Sequence, residues 1–205
     1  MSEPVQKLAE RFRGYLPVVV DLETGGFDHH TNPVLELACA FVGLQEGMLV
    51  PTAQHCWQVA PFAGAQIDPA SLKVTGIDPS NPARNQQFEK DVLNEFFKLV
   101  RVTMKNEGCQ RAILVAHNAA FDHGFINAAC ERTGIKRNPF HPFSTLDTAT
   151  IAAVAYGHTV LSQACKRAGL EFDASLAHSA AYDAERTAAL FCRVVNAWDY
   201  APVMD

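Results

Sequence analysis

Four carboxylates and one histidine, set in three short motifs, are the residues of this chain whose types and spacing could do chemistry. Asp21 and Glu23 lie in VVVDLETGG, Asp122 in HNAAFDH, and His178 with Asp183 in AHSAAYDAERT. Acidic side chains embedded in apolar runs are costly to bury unless positive charge compensates them. A pair of divalent metal ions would supply that charge, and the matching chemistry is phosphodiester hydrolysis. In a strand alternate residues share a face, so Asp21 and Glu23 project together, ~6.6 Å apart along the strand and close enough to share an ion. Asp122 falls on one helical stripe with Ile126 and Ala129. Taken alone, an acid in a first helical turn could equally complement the helix dipole. His178 and Asp183 are five apart, about 140° around a continuous helix, so they would not share a face. With Ser179 as N-cap, His178 hangs from the preceding loop while Asp183 sits in the first turns. Asp183 is then placed to bind metal, and the imidazole to reach an attacking water as general base.

Those residues need strand ends and helix starts to carry them. Residues 1–13 read as a short helix ending in Arg11-Phe12-Arg13, before Gly14. Residues 16–23, 34–44 and 55–62 read as strands, with 43–51 as a hairpin region. Residues 63–84 are rich in Gly, Pro, Asp and Asn, around one short helical segment at 69–74. A long amphipathic helix is predicted over 88–105, where Val92, Phe96, Leu99 and Thr103, and also Leu93, Phe97 and Val100, recur at helical spacing. Residues 111–116 read as a strand, followed at once by a helix over 118–132 with Asn118 as N-cap. Residues 139–143 read as a turn-forming connection, 147–156 and 159–168 as two helices, and 179–198 as a final long one. Hairpin strands followed by strand–helix alternation predict an α/β fold, a mixed sheet covered by helices, in one domain over 1–205.

Composition narrows the class. The 205 residues are 48% hydrophobic and 19% charged, as in a compact soluble protein. No apolar run approaches the ~18 residues of a membrane span. The first residues lack the apolar core of a secretory signal, so a cytoplasmic location is expected. Six scattered cysteines without a C-x-x-C pair predict buried free thiols rather than a disulfide framework or zinc site. A net charge of −5 argues against nonspecific coating of nucleic acid, but it does not limit what a local patch binds.

D-x-E, a lone Asp on a helix, and H-x-x-x-x-D together resemble the signature of the DEDDh exonucleases, whose domain has an RNase H-like fold. FRGYLPVVVDLETGGF, RAILVAHNAAFDHGF, KRNPFHPFSTLDTA and AHSAAYDAERTAALFCRVVNAW extend the likeness over most of the chain, and resemble the bacterial ribonuclease T family in particular. The resemblance implies an RNase H-like mixed central β-sheet flanked by α-helices. It implies a metal-dependent 3′→5′ exoribonuclease, active as a homodimer, that trims unpaired 3′ ends of tRNA and other stable RNAs and also acts on single-stranded DNA. Asp21, Glu23, Asp122 and Asp183 would hold two Mg²⁺ ions, with Mn²⁺ an alternative because oxygen ligands accept both. His178 would be the general base, and the products 5′-nucleoside monophosphates. Asp147 either supports the site or caps the helix after it, and the sequence favours neither.

Substrate contacts follow from the same likeness. Most of the 13 phenylalanines are expected in the core. Phe27, Phe121 and Phe143 stand beside the acidic residues and match the family's base-stacking positions, where aromatics grip an unpaired end with little sequence demand. Arg11, Arg13, Lys105, Arg111 and Lys136 match its nucleic-acid-binding basic patch, which acts across the dimer on the partner's site. The chain departs from the family in SLKVTGI, where Val74 and Ala70 replace a further stacking phenylalanine and a nearby glutamate. The family's reluctance to remove terminal cytosines is therefore not carried over. Two other readings are a DEDDh exonuclease of proofreading or oligoribonuclease type, and a nucleic-acid-binding module that keeps the fold without turnover. A complete set of five residues weighs against the second of these.

Overall fold

A computed structural model describes residues 7–198. Of the expected N-terminal helix, 1–6 lie outside the described residues, and the remainder is the single turn α1 (Leu8–Arg11). The apolar, β-branched run that follows forms β1 (Tyr15–Thr24), nearly all of it buried. It pairs antiparallel with β2 (Val34–Gln45), which turns tightly into β3 (Met48–Ala60). The turn residues Glu46 and Gly47 both have positive φ, 52° and 78°, the backbone twist a two-residue hairpin demands. The third strand therefore starts at Met48 rather than near 55, and the broad hairpin region reduces to two residues. Apart from Leu49 and Val50 its first half is exposed, so no apolar alternation marks it.

The short helix α2 (Pro69–Thr75) is capped by Asp68 and closed by Gly76 in the left-handed conformation. A two-residue strand β4 (Gln87–Phe88) leads into α3 (Glu89–Asn106), which buries Val92, Leu93, Phe96, Phe97 and Val100 as the spacing predicts. Next come β5 (Arg111–Ala116) and α4 (Ala119–Thr133). The predicted turn at 139–143 is instead the start of a strand, β6 (Phe140–Asp147), parallel to β5. Pro142 is tolerated because β6 is the outer strand and its pairing is irregular between Ala112 and Leu114. Helices α5 (Thr148–Tyr156), α6 (Leu161–Arg167) and α7 (Ala180–Ala197) complete the chain.

The six strands form one mixed sheet in the order β4-β3-β2-β1-β5-β6. Helix α7 packs on β1, β2 and β3, while α3 and α4 pack against one another and on β1. Because β1 and β5 run parallel, their carboxyl ends emerge together, and Asp21, Glu23 and the start of α4 lie at that edge. No described helix is long and apolar enough to cross a membrane. The six cysteines are free, and all but Cys56 are buried.

Candidate active site

Glu23, next to last in β1, has only 8% of its surface exposed, and Asp122, in the first turn of α4, 4%. Asp21 is half-buried. Asp122 lies beside the end of β1, close enough for the Leu22 backbone to favour its charged form. Among the described residues no Lys or Arg forms a salt bridge with these acids. Burial, then the neighbouring Asp122, Asp183, Glu23 and Glu36, hold the Asp21 carboxyl well above its usual range. Burial, then Asp183 and Glu36, push Glu23 up to about 8. Burial raises Asp122 strongly, despite the backbone hydrogen bonds that oppose it.

His178 reaches this edge from the loop before α7 and Asp183 from the first turn of that helix, as the spacing predicts. His178 is exposed, with a left-handed backbone (φ 64°), and its N–H donates to Asp183 Oδ2 at 3.0 Å. A ligand atom from each of Glu23, His178 and Asp183 lies within 4.8 Å of the others. Asp183 Oδ1 is buried and has no hydrogen-bond partner. Buried acceptors are nearly always satisfied, so this atom calls for a donor or a cation. Burial also raises the Asp183 carboxyl, with His178 and His117 acting against it. An orphaned carboxylate oxygen among clustered hard oxygen donors fits a divalent cation.

Two capping expectations change. Asn118 occupies the N-cap position of α4, but with φ 70° and no side-chain cap bond. Its backbone N–H donates instead to Asp147 Oδ1 at 2.9 Å. Asp147 also accepts from Ala149 N at 3.0 Å and Thr150 Oγ1 at 3.1 Å, so it caps α5 and ties that helix to the α4 turn. Ser179 likewise sits at the N-cap of α7 without a side-chain bond.

Around the acids, Phe27 is 83% exposed and Phe143 80%. Phe121 is half-buried, its ring 6.2 Å from Phe27 and 4.8 Å from Phe125. A cavity of about 220 Å³ opens between Glu23, Phe27, Ala70, Val74 and Phe121. The basic residues lie elsewhere. Arg111 starts β5 and pairs in register with Tyr15, over whose ring Arg13 sits at 5.7 Å. Arg111 and Lys136 line one cleft, and Lys105 is exposed at the end of α3. Arg11 is half-buried and donates to Val195 O at 3.3 Å. From Tyr15 to Glu23 is about 26 Å of strand, so Arg13 and Arg111 stand at the opposite end of the sheet from the acids.

Sequence reasoning missed two residues near the acids. Glu36 lies opposite Glu23 on β2, and its signal was an acid within the apolar run VLELACAF. His117 donates from Nε2 to Thr159 O at 2.6 Å, and its Nδ1 lies 2.9 Å from Thr148 Oγ1. It thereby pins the segment before α6; no spacing signal marked it.

Residues 18–191 match the RNase_T family, described as exonuclease. The chain is 57% identical to ribonuclease T of Hahella chejuensis over 198 residues, covering 96% of this chain and 91% of that protein. It is 54% identical to ribonuclease T of Salmonella choleraesuis, covering 93% and 89%. Among solved structures, the nuclease domain of 3′hExo, a DEDDh family member bound to rAMP, superposes with a TM-score of 0.68 at 17% identity, over 87% of this chain and 90% of that one. Escherichia coli exonuclease I in complex with a dT13 oligonucleotide gives 0.65 at 17% identity over 88% of this chain, which spans only 41% of that longer protein. The fold is thus the RNase H-like one of the DEDDh exonucleases. Membership of this family carries divalent-metal dependence, in keeping with the orphaned Asp183 oxygen. The chain belongs to the RNase_T exonuclease family and is a 3′→5′ exonuclease, a hydrolase of phosphodiester bonds.

Proposed function

We propose that this single-domain protein trims unpaired 3′ ends of tRNA and other stable RNAs in the cytoplasm, and shortens single-stranded DNA as well. The observation that carries the site assignment is the convergence of Glu23, His178 and Asp183 with an unpartnered buried oxygen on Asp183. Asp21, Glu23, Asp122 and Asp183 hold two Mg²⁺ ions, and Mn²⁺ can replace them. When bound, such ions supply Lewis-acid stabilisation of the attacking and leaving oxygens. His178, exposed on its loop, takes the proton of the attacking water, and a 5′-nucleoside monophosphate leaves. Phe27 and Phe121 stack on the terminal base beside the cavity, and Phe143 on a base further along the strand. Val74 and Ala70 offer that cavity neither a ring nor a carboxylate, so terminal-base preference differs from a site built with both.

Arg11, Arg13, Lys105, Arg111 and Lys136 grip the RNA backbone. The sheet's length supports their acting on a second copy's site. Screening extends only ~8–10 Å at physiological salt, so charges about 26 Å away along the strand serve their own site poorly. The protein accordingly works as a homodimer.

The test is a timed digestion of a 5′-labelled hairpin with an unpaired 3′ tail, in Mg²⁺ and in EDTA, for wild type and His178→Ala. The expected result is metal-dependent shortening one nucleotide at a time, lost in the variant. Unchanged shortening by the variant would remove His178 as the base. Shortening of DNA or dinucleotides alone would move the substrate to the proofreading or oligoribonuclease type.

A further inference from the structure

Glu36 faces Glu23 directly across the β1–β2 pair, and its charge helps to raise both Asp21 and Glu23. An acid in that place adds repulsion to a crowded site. Yet Glu36 is not one of the three residues whose ligand atoms converge, and both its oxygens are engaged elsewhere. Oε1 accepts from Gln58 Nε2 at 2.7 Å, and Oε2 from the backbone N–H of Ala180 at 3.3 Å. Gln58 Oε1 accepts in turn from Arg84 Nε at 2.9 Å, and Arg84 Nη2 donates to Leu35 O at 2.8 Å. Three residues from β2, β3 and the 3-10 turn Pro82–Arg84 thus form a chain of hydrogen bonds that ends on α7.

Ala180 is the first residue of α7, between His178 and Asp183 in the chain. It is fully buried and packs with Ala184 on Ala38, so small side chains bring the helix close to β2. The first N–H groups of a helix have no partner within it, and Ser179 supplies no side-chain bond. We propose that Glu36, backed by Gln58 and Arg84, is a positioning residue that clamps the first N–H of α7 and so holds His178 and Asp183 against Glu23. It acts through the helix rather than on substrate. Its negative charge suits both the helix N-terminus and Arg84. The inference rests on the reading of Glu23, His178 and Asp183 given under Proposed function.

Two variants test it. Glu36→Gln keeps the shape but has one acceptor oxygen for two donors, so an N–H must face an N–H. Gln58→Leu removes the backing without changing charge. Calorimetric Mn²⁺ binding without substrate is measured beside kcat, KM and Tm. Both variants are expected to weaken Mn²⁺ binding or turnover by about 10–100-fold, the usual cost of losing an outer-shell partner. KM for the oligonucleotide should stay within about twofold, because the base-stacking surface is untouched. A fall in Tm alone, in either variant, would make the chain merely structural and overturn the proposal. A defect in Glu36→Gln without one in Gln58→Leu would assign the effect to charge and overturn it too. Glu23→Gln is the control for the underlying reading: unchanged Mn²⁺ affinity there would sink the metal assignment, whatever Glu36 does.

Discussion

Glu23 and Glu89 are equally buried, each with 8% of its surface exposed, yet the protein treats them in opposite ways. Glu89, at the start of α3, meets Arg132 of α4 in a two-pronged ion pair, Nε to Oε2 at 3.0 Å and Nη2 to Oε1 at 2.7 Å. The same guanidinium lies 3.9 Å from the centre of the Phe62 ring and donates to His29 O at 3.4 Å. Charge and hydrogen bonds are therefore completed within the chain, and the pair joins α3 and α4 to the loop after β1. Glu23 has Asp183, Glu36 and the His178 ring about it, and no salt bridge among the described residues neutralises it. Its carboxyl is pushed up to about 8 by burial and by Asp183 and Glu36. A buried acid with its own cation fastens the architecture; a buried acid without one keeps an uncompensated charge, as the proposed metal site requires.

Substitutions should separate the two. The largest effect belongs to the acidic end: His178→Ala should lower the rate of 3′ shortening by about 10²–10⁴, with little change in Tm because the side chain is exposed. Asp183→Asn should also stop turnover while leaving the metal-free Tm unchanged or higher, since it removes repulsion.

The next largest effect is pH dependence. Folded Glu23 binds its proton more tightly than an ordinary glutamate at 4.5, so between 4.5 and about 8 the folded state holds more protons than the unfolded. The sign follows: stability of the metal-free protein falls as pH rises through this window, by on the order of 4 kcal/mol. A Tm series with EDTA should show that decline, and Mg²⁺ should stabilise more at the upper end than the lower. A metal-free Tm that rises across the window would contradict the assigned environment.

Glu89→Gln should cost about 3 kcal/mol by leaving Arg132 without its counter-charge, or roughly 6–12 °C in Tm, with turnover per folded molecule unchanged. Lost turnover at intact Tm would break the comparison. The smallest effect is at the basic end. Arg111→Ala should reduce the salt slope of oligonucleotide binding by about 1 and leave metal binding intact.

Local signals carried much of the architecture. The apolar run before Asp21, the stripe of α3 and the short helical segment at 69–74 are short-range patterns, and each became the expected element. Where local signals misled, a neighbour had taken over. Pro139 and Pro142 read as turn, but an outer strand does not need every N–H, and β5 supplied β6 with a partner. Residues 48–54 alternate poorly because one-sided burial does not shape them; pairing with β2 makes them a strand. Asn118 suits an N-cap by type, yet the left-handed turn presents its backbone N–H to Asp147 instead of using its side chain.

The same division runs through the site. Residue type, spacing and the family resemblance of the motifs determined which acids and which histidine to watch, and local signals alone placed His178 before a helix bearing Asp183, because strand alternation and helix starts are local properties of the backbone. Only the tertiary structure decided that Asp183 Oδ1 would be buried without a partner, that Glu36 rather than Ser179 would meet the first N–H of α7, and that Arg132 would neutralise Glu89 and not Glu23. Those outcomes depend on which charges face one another across elements far apart in the chain, and both desolvation and Coulomb energy are set by that meeting, not by sequence distance.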